Sequence, residues 1–350
     1  MKSFDLHAMV RPNIMALKPY RSARDDYKEG ILLDANENPF KTDWLEPGSE
    51  WNRYPDPHTS ELRQAIAAYR NVKVENIFTG NGSDEAIDLI IRMVCTPGKD
   101  SIVITPPTYG MYKVSAGIHD VEVKEAALNV DFSLDVNLTL ETSKNSKIIF
   151  LCSPNNPTGN LLNQESIIQI IENFEGLVVV DEAYIDFCSS STVLPLLNKY
   201  PNLIVLQTLS KAFGLAGLRL GLAFASPEII DFFMRIKPPY NINKLTQKYA
   251  LDAFGKVSEV EKRAEAIIEE RDRLMDALLS LEGVEKIHPS DANFFLAIVE
   301  NAYDVYRKLA SKGVIVRYRG DQLHCENGLR ISVGTRREND ALINVLKEVL

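Results

Sequence analysis

The sequence is short of the residues that build metal centres and disulfide frameworks. Its four cysteines (Cys95, Cys152, Cys188 and Cys325) lie far apart with no C-x-x-C spacing, and each falls in or beside an apolar stretch. They read as buried free thiols. The five histidines (His7, His58, His119, His288 and His324) form no i, i+4 pair, so no metal is expected. No run approaches the ~20 apolar residues of a membrane-spanning helix. The first residues carry Lys2, Asp5, His7 and Arg11 in place of a continuous apolar signal segment, and a reducing cytoplasm is the expected setting. Positive charge is short too: 39 Lys+Arg against 48 Asp+Glu leave a net charge of −9. Neither nucleic acid nor an anionic membrane is therefore an expected partner. Any anion must be held by local groups.

What remains is an ordinary globular composition. The 350 residues are 45% hydrophobic and 25% charged, enough chain for about two domains. No internal repeat or low-complexity tract stands out. Pro12, Pro19 and Pro39 interrupt the first forty residues, which read as an irregular, extended arm. From Asn76 onward, short apolar runs at 101–105, 147–152, 177–181 and 203–207 alternate with helical patterns at 85–94 and 165–174. Such runs are strands buried on both faces of a mostly parallel sheet, which makes the class α/β. After Pro238-Pro239 a helical run occupies 244–281, followed by strand candidates at 294–299, 314–316 and 330–333 and a helix at 337–349. The expectation is an arm over 1–35 that contributes to the small domain, a large three-layer α/β/α domain over 36–240, and a small α+β domain over 241–350. The charged run 259–273 reads as the solvated face of the long helix.

In a parallel sheet, ligands sit beyond the carboxyl ends of the strands, and four such ends carry chemistry. After 77–79 comes Gly80-Asn81-Gly82-Ser83-Asp84-Glu85, opening a helix. Glycines and free amides there suit a phosphate, and equally a plain glycine turn with a Ser or Asp cap. After 148–152, two prolines enclose two asparagines, including Asn156, which fixes a rigid loop that aims an amide, though turns also use these residues. Asp181 ends a buried run, where a carboxylate requires a cation or strong hydrogen bonds; a lone Asp is also a common cap. Thr208-Leu209-Ser210-Lys211 is followed by Arg219. Lysine among small and hydroxylated residues suits an imine-forming amine beside a phosphate, although a lone lysine is usually solvated. The joint occurrence of phosphate ligands, amide, carboxylate and lysine on successive strand ends is the telling feature.

With that combination the sequence resembles the fold-type I pyridoxal-phosphate aminotransferases, and within them the histidinol-phosphate aminotransferase subfamily. The resemblance runs from Arg11-Pro12 and Tyr20 through Asn36-Glu37-Asn38-Pro39 to Leu329-Arg330-Ile331-Ser332-Val333-Gly334. It implies that Lys211 carries pyridoxal 5'-phosphate and, as a free amine, moves the proton at Cα. A lysine of ordinary pKa, ~10.4, needs an apolar, cationic pocket for that. It further implies that Asp181 holds the pyridine nitrogen, that Asn156 and Tyr184 bind the ring's phenolic oxygen, and that Tyr109 stacks on the ring. Ser83, Asp84 (through its amide), Ser210, Arg219 and Thr208 would hold the phosphate. Tyr54 matches the tyrosine that reaches the phosphate from a neighbouring subunit, which implies a homodimer with a shared active site; the plain alternative is a surface tyrosine beside a proline turn.

For the substrates, Arg330 resembles the arginine that forks onto the α-carboxylate. Tyr20 and Arg317 match substrate positions, Arg319 two residues on shares its face if the segment is extended, and Arg337 reads as a surface charge. The implied reaction exchanges an amino group between L-histidinol phosphate and 2-oxoglutarate, giving imidazole acetol phosphate and L-glutamate in L-histidine biosynthesis. Aromatic amino acid transamination and decarboxylation of a phosphorylated amino acid use the same groups. A cofactor-sensing regulator would need a DNA-binding domain for which the chain has neither spare length nor a basic patch.

Overall fold

Three consecutive apolar runs, IIFLC, LVVVD and LIVLQT, set the architecture, because every one of their residues is buried. The computed structural model describes residues 4–350 except 28, 43, 46 and 47, so residues 1–3 and 28 of the expected arm lie outside the described residues. The runs are β4 (Ile148–Cys152), β5 (Leu177–Asp181) and β6 (Leu203–Thr208) of a sheet completed by β1 (Ile77–Asn81), β2 (Ser101–Ile104), β3 (Glu122–Glu125) and β7 (Leu220–Phe224). The order is β1-β7-β6-β5-β4-β2-β3. All neighbours are parallel except β7, which is antiparallel to both β1 and β6.

Alternate residues feed two separate cores. Ile149, Leu151, Val178, Val180 and Val205 face one core with Ile167, Ile170 and Ile171 of helix Gln164–Asn173. Ile148, Phe150, Val179 and Ile204 face the other with Ile87, Ile90 and Ile91 of helix Ser83–Val94. Each such side chain contributes about 1.5–3 kcal/mol by leaving water. The result is the expected three-layer arrangement with a mostly parallel sheet.

A second sheet, β8 (Val284–Ile287), β9 (Phe294–Val299), β10 (Arg317–Tyr318) and β11 (Gly328–Ser332), is antiparallel in the order β10-β11-β9-β8. It packs against Leu274 and Leu278 of helix Val257–Leu279, Leu309 of helix Ala302–Ser311, and Leu342 and Leu346 of helix Arg336–Val349.

Several expectations are corrected. The helical run 244–281 is two helices, Lys244–Phe254 and Val257–Leu279, because Gly255 ends the first and Lys256 leaves helical geometry at φ −128, ψ 30. The strand expected at 314–316 begins three residues later as β10, since Val314 N–H is spent on the Leu309 carbonyl in closing the preceding helix. β3 and β8 carry charged residues without an apolar run, and Gly221 interrupts the run of β7, so none of the three stands out in the sequence. Within the run 259–273, Arg271 is buried and donates to the Ala292 carbonyl at 3.1 Å. The arm holds three single-turn helices, Leu6–Met9, Pro12–Met15 and Ala23–Asp26; Pro12 fits because it opens its helix, where the missing N–H is not needed. Leu6, Val10 and Ile14 bury with the large sheet's helices, while Ile242, Ala250 and Val260 join the core on its other face. Apolar packing against the large sheet thus continues past the double proline.

Gly221 on β7 fixes how closely the chain passes the end of β1: a Cβ there would lie 2.1 Å from both Gly82 C and Ser83 N. Backbone cannot yield to that extent, so Gly221→Ala is expected to lose about 3 kcal/mol, measured as a lowered urea midpoint with an unchanged slope.

Candidate active site

At the end of β1, Gly82 adopts φ +73 and its N–H donates to the Arg219 carbonyl at 2.7 Å. A Cβ on Gly82 would sit 2.7 Å from an Arg219 guanidinium nitrogen and displace that side chain, while the positive φ itself favours glycine. Arg219 itself is left-handed at φ +54, a conformation that an arginine adopts at some energetic cost. Its guanidinium reaches Asp84 at 3.5 Å. Ser83 opens the 12-residue helix Ser83–Val94, whose first amides have no partner within the helix. Ser210 joins this group from beyond β6: its N–H donates to Thr208 Oγ1 at 3.1 Å, and the two hydroxyls are 3.0 Å apart. Serine hydroxyls, helix amides and a guanidinium in one cleft form an anion cradle.

Asp181 closes β5 and is 2% exposed. Tyr112 OH donates to its Oδ2 at 2.7 Å and the Ala183 N–H to its Oδ1 at 3.1 Å. Tyr112 is itself buried and stacked on Phe150 with centroids 4.7 Å apart. Burial pushes the Asp181 carboxyl up to about 6 against the pull of the Tyr112 hydrogen bond. Among the described residues it has no ion-pair partner, so a buried carboxylate is left in want of a cation. Glu182 next to it is buried and pushed up to about 7. Its needs are met elsewhere, by Val193 N–H, Thr192 Oγ1 and Gln207 Nε2 at 2.7, 2.7 and 2.8 Å.

Lys211 lines the same cavity, as do Tyr109, Asn156, Asp181, Tyr184, Ser83 and Arg219. Its Nζ lies 5.2 Å from the Tyr184 ring centre. Burial lowers its pKa and the charge of Arg330 lowers it further, the direction a base requires. Tyr109 OH donates to Asp84 Oδ1 at 3.1 Å, and burial pushes both Tyr109 and Tyr184 phenols up, keeping them as donors.

The small sheet contributes arginines. Arg330 on β11 donates to Asn156 Oδ1 at 2.6 Å and lies over the Phe294 ring at 5.4 Å. Arg317 is its cross-strand partner on β10. Arg319 continues the ladder through N–H to the Gly328 carbonyl, and its buried Nε has no partner. Burial lowers the pKa of Arg319, and the charges of Arg330 and Arg317 add to that. Among the described residues none of the three forms an ion pair.

Thus the structure gathers Ser83, Asp84, Tyr109, Asn156, Asp181, Tyr184, Thr208, Ser210, Lys211 and Arg219 around one cavity, with Arg330 against it. It leaves Tyr20 75% and Tyr54 48% exposed, both outside that cavity. Tyr54 stacks on Tyr240 at 4.4 Å. Arg337 is exposed. Tyr112 escaped sequence reasoning because a tyrosine in an apolar helical stretch reads as core; its position three residues after Tyr109 was the available signal. A larger cavity of about 740 Å³ beside Tyr69 and Asp186 lacks comparable chemistry, since its half-buried Arg70 and Asp186 neutralise each other at 2.7 Å.

The raised Asp181 carboxyl has a consequence for stability. Its contribution is fully present below its ordinary pKa of 3.8 and is lost as pH rises through about 6. Asp181→Asn in the ligand-free protein is therefore expected to match the parent at pH 4 and to exceed it at pH 8, by on the order of 2–3 kcal/mol, as read from urea denaturation at the two pH values.

A model of the family "Aminotransferase class I and II" matches residues 28–346. The histidinol-phosphate aminotransferase of Cytophaga hutchinsonii is 51% identical over 348 residues, 99% of each chain. The crystal structure of the histidinol-phosphate aminotransferase from Clostridium acetobutylicum superposes with a TM-score of 0.79 at 25% identity, covering 85% of this chain and 90% of that one. The Sinorhizobium meliloti histidinol-phosphate aminotransferase, solved in complex with pyridoxal-5'-phosphate, shares the fold with a TM-score of 0.79 at 24% identity over 85% and 82% of the two chains. Matched end to end, with a lysine and a buried carboxylate on adjacent strand ends, the chain belongs to the class I and II aminotransferases of fold type I, in the histidinol-phosphate aminotransferase family.

Proposed function

We propose that the protein exchanges an amino group between L-histidinol phosphate and 2-oxoglutarate, giving imidazole acetol phosphate and L-glutamate in L-histidine biosynthesis, with pyridoxal 5'-phosphate as cofactor. The observation that carries the substrate choice is the group of three arginines without ion pairs, Arg317, Arg319 and Arg330, near Tyr184 and Lys211. Burial and neighbouring positive charge lower the pKa of Arg319 and Arg330, and guanidiniums gathered without counter-ions call for a substrate with anionic groups, phosphate on one partner and two carboxylates on the other.

The residues fit the cofactor on their own chemistry. Asp181 lacks a cation that a protonated pyridine nitrogen supplies, and the cradle of Ser83, Ser210 and Arg219 lacks an anion. When bound, pyridoxal 5'-phosphate supplies an electron-withdrawing ring that takes up the electron pair released at Cα. Lys211, its ammonium form disfavoured, is the base that removes the Cα proton and hands it back. Asp181 holds the proton on the ring nitrogen, and Tyr112 keeps that carboxylate ionised and aimed. Asn156 and Tyr184 donate to the ring's phenolic oxygen, and Tyr109, anchored on Asp84, covers the ring. Ser83, the Asp84 amide, Thr208, Ser210 and Arg219 bind the phosphate. Arg330, already oriented by Asn156, forks onto the α-carboxylate of glutamate. Arg317, Arg319 and Tyr20 meet the distal phosphate or carboxylate.

We further propose a cytoplasmic homodimer. Tyr54 and Tyr20 turn their rings outward, and Ile31, Leu33, Phe40, Trp44 and Leu45 expose apolar surface in the same stretch of chain, the signature of a covered face. There Tyr54 would complete the phosphate site of the partner subunit. The thiols described as free suit a reducing compartment.

The deciding experiment follows the visible spectrum of the loaded protein as donor is added without keto acid. Histidinol phosphate is expected to convert it rapidly and phenylalanine far more slowly; equal or faster conversion by phenylalanine would make it an aromatic aminotransferase instead. Lys211→Ala is expected to slow this half-reaction by at least about 10²–10⁴-fold. Arg317→Gln and Arg319→Gln should each raise the KM for histidinol phosphate by roughly 10–100-fold, the worth of a hydrogen bond to a charged group, in steady-state assays. An unchanged KM in both would move the phosphate away from these arginines.

A further inference from the structure

The Asn36–Pro39 stretch carries part of the family likeness, yet no role has so far fallen to it. Within it Glu37 is a buried carboxylate, its side chain only 3% exposed. Its Oε1 accepts the Tyr54 N–H at 2.7 Å, and its Oε2 accepts Arg53 Nη1 at 2.8 Å and Arg24 Nη2 at 3.1 Å. Arg24 is buried as well and also grips Asp34 at 2.8 Å and the Tyr27 carbonyl at 3.1 Å. Arg53 reaches back to the Leu32 carbonyl at 3.1 Å. One carboxylate therefore gathers the end of the arm and the Tyr54 turn into a single unit. Burial works to raise the Glu37 carboxyl, but the Tyr54 amide and the two arginines hold it below its ordinary range, so it stays ionised at neutral pH.

Tyr54 is consequently fixed at both ends. Its backbone hangs on Glu37, and its ring stacks on Tyr240 with the planes 12° apart. The hydroxyl has no partner among the described residues, and the side chain faces outward. A phenol held this firmly on an exposed turn is presented to something outside its own subunit.

We propose that Glu37 is a positioning residue for the cofactor site of the partner subunit: held by Arg24 and Arg53 through one oxygen and pinning the Tyr54 amide with the other, it sets the reach of the Tyr54 hydroxyl toward the cofactor phosphate. This rests on the reading of Tyr54 given above. Glu37 touches neither substrate nor cofactor, and acts only through Tyr54.

The test is a double-mutant cycle on cofactor retention, read as the dissociation constant of pyridoxal 5'-phosphate from the purified holoenzyme by its visible absorbance. Tyr54→Phe keeps the backbone and the stack and removes only the hydroxyl; it is expected to weaken retention by about 10-fold. Glu37→Gln is expected to weaken it several-fold, and the double variant no more than Tyr54→Phe alone. Glu37→Asp, which keeps the charge between the arginines but shortens the reach to the amide, is expected to behave like Glu37→Gln and serves if that variant does not fold. Unchanged retention in the Glu37 variants, or losses that multiply in the double variant, overturn the proposal while leaving Tyr54 in place. So does a shift of the Glu37 variants to monomer in gel filtration, which would make Glu37 an assembly residue. Unchanged retention in Tyr54→Phe overturns the Tyr54 reading itself and the proposal with it.

Discussion

A carboxylate at the end of a strand buried on both faces is the constraint around which the site is organised. Asp181 cannot be solvated where β5 ends, and two hydrogen bonds do not fully replace water. The residue weakens the fold at neutral pH, and the interaction it lacks is a cation. Everything nearby follows from that deficit. Tyr112 supplies one of the two bonds from a buried, stacked position, and a lysine on the adjacent strand end is disfavoured as a counter-ion. Burial does this first, and the charge of Arg330 on the small sheet adds to it.

The second constraint is closeness of backbone. β7 runs antiparallel between β1 and β6, and its Gly221 faces Gly80 on one side and Thr208 on the other. That single reversed strand brings the cradle from the end of β1, the hydroxyls after β6 and the turn at Arg219 within a few ångströms. The left-handed Arg219 is the point where the chain reverses into β7. Its strain and its side chain's task are two sides of one requirement: the turn must be tight and must still project a guanidinium toward Gly82.

Much of this was legible in the linear sequence, for a definite reason. Strands buried on both faces write themselves as continuous apolar runs, and residues just after such runs lie on one edge of the sheet, so Asn156, Asp181 and Lys211 could be placed together before any coordinates. What escaped lacks that signature. β3 is an exposed edge with the charged sequence EVKE, β8 is a largely exposed VEKI, and Gly221 interrupts the apolar run of β7. The break at Gly255-Lys256 hides inside a composition that favours helix throughout. Tyr112 looks like core because it is core, and only its 2.7 Å contact gives it chemistry. Glu37 and Arg24 are 13 residues apart in an irregular segment, where no periodicity tells which charges will meet. Tyr54 and Tyr20 were found by likeness alone; one chain by itself leaves both outside the cavity.

The chain order of the site also imposes a sequence in time. Ser83 through Arg219 all precede the small sheet, whereas Arg330 follows Lys211 by 330 − 211 = 119 residues and lies on the last strand to be made. At about 5–20 residues per second of synthesis, with N-terminal units folding first, a ribosome needs roughly 6–24 s to pass from the lysine to the arginine. During that interval the nascent chain carries the lysine and the buried carboxylate that line the cavity but not the guanidinium that lies against it.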